Sequence, residues 1–317
     1  MKKHPLRHKY RLHFYALIWA ALFSTSPAFS HTDLSPSDSP YVVTYTGTDS
    51  LEEEDNRNLY FIELLKQALA HSNEDYRVEM SVRGASHARQ MKLVADGKIN
   101  VMWDAPGPEM STQVMPIEIP IDKGLIGWRL FFIKKEDQRL FSKTTTLEEL
   151  RKIRLGQVKS WHDTSILKAN HLNVLATPNY LSSFKMLASN RFTYFPRSVS
   201  EIWREQEERK DLLGNIVIEK NLVLHYPIAY FYYVNKNNHQ LAEDIKNGLE
   251  KMLADGSFDR LFNEYNGKQI ALSELHKRHV IKINNPYFPK ETYNKYKKFW
   301  FDPEDYAPCP SCPQGIQ

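Results

Sequence analysis

The sequence predicts an α/β protein made of two consecutive blocks of strands and covering helices. Three observations predict it. Short β-type runs alternate with amphipathic stretches from residue 41 to 103, and the alternation begins again near 154. Three tetrads in the second block mark helix starts: Thr146-Leu-Glu-Glu149, Ser160-Trp-His-Asp163 and Ser198-Val-Ser-Glu201. The length, 317 residues, suits about two domains. With 42% apolar and 25% charged residues the composition is globular, which excludes a disordered chain, a collagen and a coiled coil.

Residues 1–30 read as a secretory signal. A basic start runs to Arg11, and an apolar core follows at 14–23. Ala28 and Ser30 place small residues three and one positions before a cut ahead of His31. The core is about half of the ~20 residues that span a bilayer; an uncleaved anchor is the alternative. Residues 31–40 form a Ser-, Pro- and Asp-rich linker. A strand at 41–45 ends before Gly47. A helix at 58–70 carries Leu59, Ile62, Leu65 and Leu69 on one stripe. A strand at 76–82 and a helix from Ser86 to about Gly97 lead to the apolar strand 99–103, stopped by Asp104-Ala-Pro-Gly-Pro108. A long apolar strand occupies 127–133.

The second block reads strand 154–159, a helix through Leu167, a helix at 179–189, a short strand 192–195 and a charged helix to Lys210. Strands 222–226 and 229–234 follow. Leu241, Ile245, Leu249 and Met252 share a helix face stopped by Gly256, and Phe258, Leu261, Phe262 and Tyr265 make another stripe. Beyond Gly267 the chain is expected to be extended, including 280–286. The sheets are expected to be mostly parallel.

Of the 42 basic residues, five lie in 1–30 with no acid, which leaves 37 against 38 acids. The remaining chain is near neutral, and a nucleic-acid partner loses its main support. Cys309 and Cys312 sit in a Pro-rich tail. They read as a small local disulfide or free thiols rather than a redox or zinc site. No G-x-S-x-G, P-loop or dinucleotide fingerprint occurs, so neither an enzyme motif nor a cofactor is called for.

The order of elements over 41–267 resembles the bilobed periplasmic solute-binding proteins of family 3, the amino-acid-transporter type. The stretches that carry it are the Leu64-Leu-Lys-Gln-Ala-Leu69 helix, Ala95-Asp-Gly-Lys-Ile-Asn100, Leu147-Glu-Glu-Leu-Arg-Lys-Ile-Arg-Leu-Gly156 and Leu249-Glu-Lys-Met-Leu-Ala-Asp-Gly-Ser-Phe258. The resemblance implies a type 2 periplasmic-binding fold, two mostly parallel sheets joined by strand-like crossings at 127–134 and 229–235. Lobe 1 is then 41–132 plus 233–300, lobe 2 is 133–232, and 301–317 is a tail. It implies an exported, monomeric protein of the periplasm that traps a small polar molecule and works with a membrane permease or a sensor. A cleft enzyme of the same fold, dehydratase-like with Asp104 and Glu109 as carboxylates, is the alternative. Members of the family carry an Arg after the strand equivalent to 99–103 to grip a ligand carboxylate; residues 104–128 here hold none.

In open α/β lobes ligands sit beyond the carboxyl ends of the strands. That selects Tyr45 to Asp49, Trp103 and Asp104 in lobe 1, and Ser160, Trp161, Arg197 and Tyr226 in lobe 2. Asp104 either receives an ammonium or accepts amides of the following turn. Trp161 either faces the cleft or packs between helices. Arg197 is expected just after a strand and just before the Ser198 helix, where it either grips an anion or pairs with Glu201 or another lobe 2 acid. His162 and His225 read as structural histidines, and no metal site is expected, His276 and His279 included. The stretch 276–301 is either a partner surface or a strap over lobe 1.

Overall fold

The structure, a computed structural model, describes residues 40–47, 58–107 and 112–306. The signal segment, Asp49, Glu109, Cys309 and Cys312 lie outside these residues. The chain begins with β1 (Tyr41–Thr46), α1 (Leu59–Leu69), β2 (Tyr76–Val82), α2 (His87–Ala95), β3 (Val101–Asp104) and β4 (Val114–Ile117). A second group follows: β5 (Trp128–Lys134), α3 (Gln138–Phe141), α4 (Leu147–Lys152), β6 (Leu155–Val158), α5 (His162–Ala169), β7 (Val174–Thr177), α6 (Tyr180–Ala188), β8 (Tyr194–Ser198), α7 (Val199–Glu208), α8 (Lys210–Leu213), β9 (Ile216–Ile218) and β10 (Leu222–His225). The chain then returns through β11 (Phe231–Asn235), α9 (His239–Asp255) and α10 (Ser257–Ser273), and closes with β12 (His279–Lys282) and α11 (Lys290–Tyr296).

Lobe 1 is built on the parallel pair β1–β2 and on β11, which lies antiparallel between β3 and β4. The expected stripe of α9 is buried against α1; at Gly248 an added Cβ would come within 2.0 Å of the Ala68 carbonyl oxygen, so only glycine permits this approach. Lobe 2 is built on a seven-stranded sheet in the order β12-β10-β5-β8-β6-β7, with β9 also on β5. Its pairings are mixed, which corrects the expectation of mostly parallel sheets. A parallel pair needs a crossover helix, and β5 and β11 each arrive directly from the other lobe without one. All pairs of these two strands are antiparallel.

The crossings fall earlier than expected. Every residue of β5 is buried, and this strand is interior to the lobe 2 sheet. The lobes are joined instead by residues 118–127 and 226–230. The Ile121 amide donates to the Tyr230 carbonyl (3.0 Å), and the Tyr226 amide donates to that of Gly127 (3.2 Å). An added Cβ on Gly127 would lie 2.2 Å from the Tyr226 oxygen. Asp122 accepts from the amides of Gly124, Ile126 and Tyr230, each at 3.1 Å, so one carboxylate ties both crossings together.

The C-terminal segment corrects two further expectations. The α10 helix continues through Gly267 to Ser273. The return is not confined to lobe 1: β12 pairs in parallel with β10 of lobe 2, because the edge strand β10 offers free backbone groups on its outer side. The segment then comes back to lobe 1, where Phe288 packs on Phe231. It crosses the hinge on the way out. The Phe301 amide donates to the Lys123 carbonyl (2.7 Å), Phe301 meets Trp128 edge-on, and Trp300 covers Gly124. Phe301 is thus core rather than tail.

Candidate functional site

A cavity of ≈ 220 Å³ lies between the lobes, walled by residues of both and floored by Asp122, Ile126, Ile228 and Tyr230 of the crossings. Its position follows from topology: β3 ends into it at Trp103 and Asp104, and α5 and α7 begin beside it.

The lobe 2 wall is a line of alternating charge. Arg197 bonds Glu205 through Nε (2.8 Å) and Nη2 (2.5 Å), and its Nη2 also lies 3.2 Å from Glu201. Arg129 donates to Asp163 at 2.7 Å and reaches Glu201 at 3.6 Å. The order is Glu205, Arg197, Glu201, Arg129, Asp163, with one more negative charge than positive. Burial opposes both guanidinium charges, but the neighbouring carboxylates outweigh it and raise both Arg pKa values. Burial likewise pushes Glu201 up, while the Arg197 and Arg129 charges hold it below its ordinary value. The Tyr226 hydroxyl donates to Asp163 at 2.9 Å from behind.

The lobe 1 wall centres on Asp104, which is 1% exposed. Its Oδ1 accepts the Ala105 amide (2.8 Å). Its Oδ2 meets His87 Nδ1 (2.9 Å) and, from lobe 2, His162 Nε2 (3.2 Å). Burial pushes the Asp104 carboxyl up, but the His87 charge and the His162 hydrogen bond more than reverse this. Burial pushes His162 down, and the Asp104 hydrogen bond carries it above its ordinary value. The carboxylate is therefore ionised and both its oxygens are engaged. His162 also packs on Gly107, where an added Cβ would fall 2.1 Å from the ring.

Of the residues expected at the site, Trp103, Asp104, Ser160, Trp161 and Arg197 line the cavity. Tyr45 does not; it is 8% exposed and backs Trp103 at 5.7 Å between rings. Tyr226 does not; it is fully buried and anchors Asp163. Arg197 is corrected in place, and of its two expected roles the structure shows the ion pair with lobe 2 acids. The strand is Tyr194–Ser198 rather than 192–195, so Arg197 is a paired strand residue opposite Leu130. Its head is held by Glu205 and stacked 4.6 Å over Trp161. Trp161 thus both faces the cleft and packs on Arg197. The Thr146 and Ser198 capping boxes form as expected, but the Ser160 box does not: Trp161 is the N-cap and Asp163 turns to Arg129.

Sequence reasoning missed Arg129, His87, Phe61 and Tyr230. Arg129 had a legible signal, a lone charge inside the apolar run Trp128-Arg-Leu-Phe-Phe-Ile133. His87, Phe61 and Tyr230 had none, since each depends on which helix or strand face meets the other lobe.

No family model matches the chain, and no curated protein matches it. Solved structures do. The probable amino-acid ABC transporter extracellular-binding protein ytmK from Bacillus subtilis aligns at 14% identity over 72% of this chain and 99% of its own, with a TM-score of 0.55. The GluR0 ligand-binding core complexed with L-glutamate aligns at 12% over 73% and 100%, TM-score 0.53. An ancestral arginine-binding protein bound to glutamine aligns at 18% over 71% and 98%, TM-score 0.51. Over 71–73% of its length the chain therefore has the two-lobed type 2 periplasmic-binding fold of these solved structures, with its cavity between the lobes.

Proposed function

We propose that the protein is an exported solute-binding protein whose lobes close over a small polar molecule. The observation that carries this is the cavity itself: both lobes line it, the crossings at 118–127 and 226–230 and the C-terminal strap through β12 join them, and the His162–Asp104 contact links the walls directly. Closure about a hinge of this kind converts ligand contacts on both walls into a change of shape. The structural neighbours named for an amino-acid ABC transporter and for a ligand-binding core support solute binding, with delivery to a permease or reporting to a sensor as its two outlets. In this proposal lobe 1 is 41–117 with 231–273, and lobe 2 is 128–225 with β12. Trp103, Ser160 and Trp161 touch the solute, the mature chain starts at His31 in the periplasm, and the protein works as a monomer.

A dehydratase-like role is the less favoured reading. Asp104 is held ionised with both oxygens engaged, so it has no proton to give at neutral pH. Native mass spectrometry of the exported protein, purified without refolding, tests the proposal. A bound small molecule that is released unchanged is expected. A molecule converted to product on standing would support the enzyme instead.

A further inference from the structure

We propose that the solute is an organic cation with an apolar body, an amine without a carboxylate, rather than an α-amino acid. This rests on the solute-binding reading and names its ligand class. Among the described residues, lobe 1 lines the cavity with no lysine or arginine. Lobe 2 supplies three arginines, and each is already matched to a carboxylate: Arg129 to Asp163, Arg197 to Glu205, and Arg204 to Glu208 at 3.6 Å. An incoming carboxylate would compete with acids already seated on Arg129 and Arg197. Both pairs are deeply buried, and parting them leaves an uncompensated buried charge. With Glu201 added, the charged row of lobe 2 holds one more carboxylate than arginine, while Asp104 of lobe 1 already faces His87 and His162.

The acids differ in reach. The side chains of Asp104, Asp163 and Glu205 are 2%, 9% and 2% exposed, whereas that of Glu201 is 23% exposed. Glu201 Oε2 meets Arg197, Arg129 and the Ser198 amide, but of these acids its carboxylate is the one an ammonium group reaches most easily. The lining also carries aromatic rings, Phe61, Trp103, Trp161 and Tyr230, from both lobes and the crossings. Aromatic faces attract a cation and bury an apolar body together. The surplus carboxylate of lobe 2 and the aromatic faces favour the same ligand, and neither favours a carboxylate.

The test is calorimetric titration of ligand-stripped protein with matched pairs: phenethylamine against phenylalanine and phenylpropionate, and agmatine against arginine. The molecule retained on purification is identified alongside. Within at least one pair the amine is expected to bind tenfold or more tighter than its carboxylate-bearing partner, and Glu201→Gln is expected to abolish that preference. The retained molecule is expected to be cationic. An amino acid or acid that binds as tightly as its amine, or a retained carboxylate, overturns the cation assignment and leaves solute binding standing; Arg204, the most loosely paired arginine, would then be its seat. No retained molecule and no titration signal from any probe overturns both.

Discussion

Replacing His162 by alanine removes a ring that reaches from lobe 2 to Asp104 of lobe 1. The bond is 3.2 Å long and ends on an ionised carboxylate. A hydrogen bond to a charged group contributes about 1.5–3 kcal/mol, and this length places it near the lower figure. Loss of about 1.4 kcal/mol shifts the open–closed equilibrium roughly tenfold. The effect depends on pH. The His162 pKa is raised where its ring meets Asp104, so the extra stabilisation of this contact is fully present below the ordinary value of 6.5 and is lost as pH rises through the raised value. The charges facing this ring are Asp104, Asp163 and His87. His87 belongs to the same lobe as Asp104 and modulates the bond without bridging the lobes. Spin labels at Lys66→Cys on α1 and Lys185→Cys on α6, in a Cys309→Ser, Cys312→Ser background, report the distance between lobes. The short-distance population of the wild type should fall from pH 5 to pH 9, and that of His162→Ala should start lower and stay flat. Identical distributions for the two proteins across that range would refute the bridge.

Three further outcomes are expected. Arg197→Met leaves Glu205, 1% exposed, without its partner, and should lower unfolding free energy by about 3–5 kcal/mol; urea melts check this, and a change under ~1 kcal/mol would show that the pair is not structural. Asp122 is raised from 3.8 to about 6 by burial, against its amide donors. Its contribution is thus present below 3.8 and lost as pH rises through about 6, which amounts to about 3 kcal/mol, and Asp122→Asn should flatten that slope in melts at pH 4–7. Gly127→Ala places a Cβ against the Tyr226 oxygen and should cost about 1–3 kcal/mol, with faster amide exchange at Tyr226; unchanged exchange would mean that the crossings tolerate separation.

The fold was legible where local chemistry decides it. The stripe on α9 and the boxes at Thr146 and Ser198 depend on residues within one or two turns, and all of them form. Strand direction was not legible for β5 and β11, because no crossover helix precedes them and their pairing is set by the hinge. The path of 274–306 was not legible either: β12 needs a free edge on β10, which exists only once lobe 2 is assembled. At the site, strand ends pointed to Trp103, Asp104, Ser160 and Trp161. The same rule misplaced Tyr45 and Tyr226, whose strands end at the cleft while their rings turn inward. Arg197 was misplaced by register: the strand ends three residues later than expected, which moves Arg197 from a strand end into the sheet, within reach of Glu205 one helix turn beyond Glu201.

The central claim is that solute binding and lobe closure are one event. Small-angle scattering on the stripped protein, before and after its own retained molecule is returned at saturation, tests it most directly. The account predicts a smaller radius of gyration on reloading, with a weaker contraction for His162→Ala. A saturated protein with an unchanged radius would contradict it.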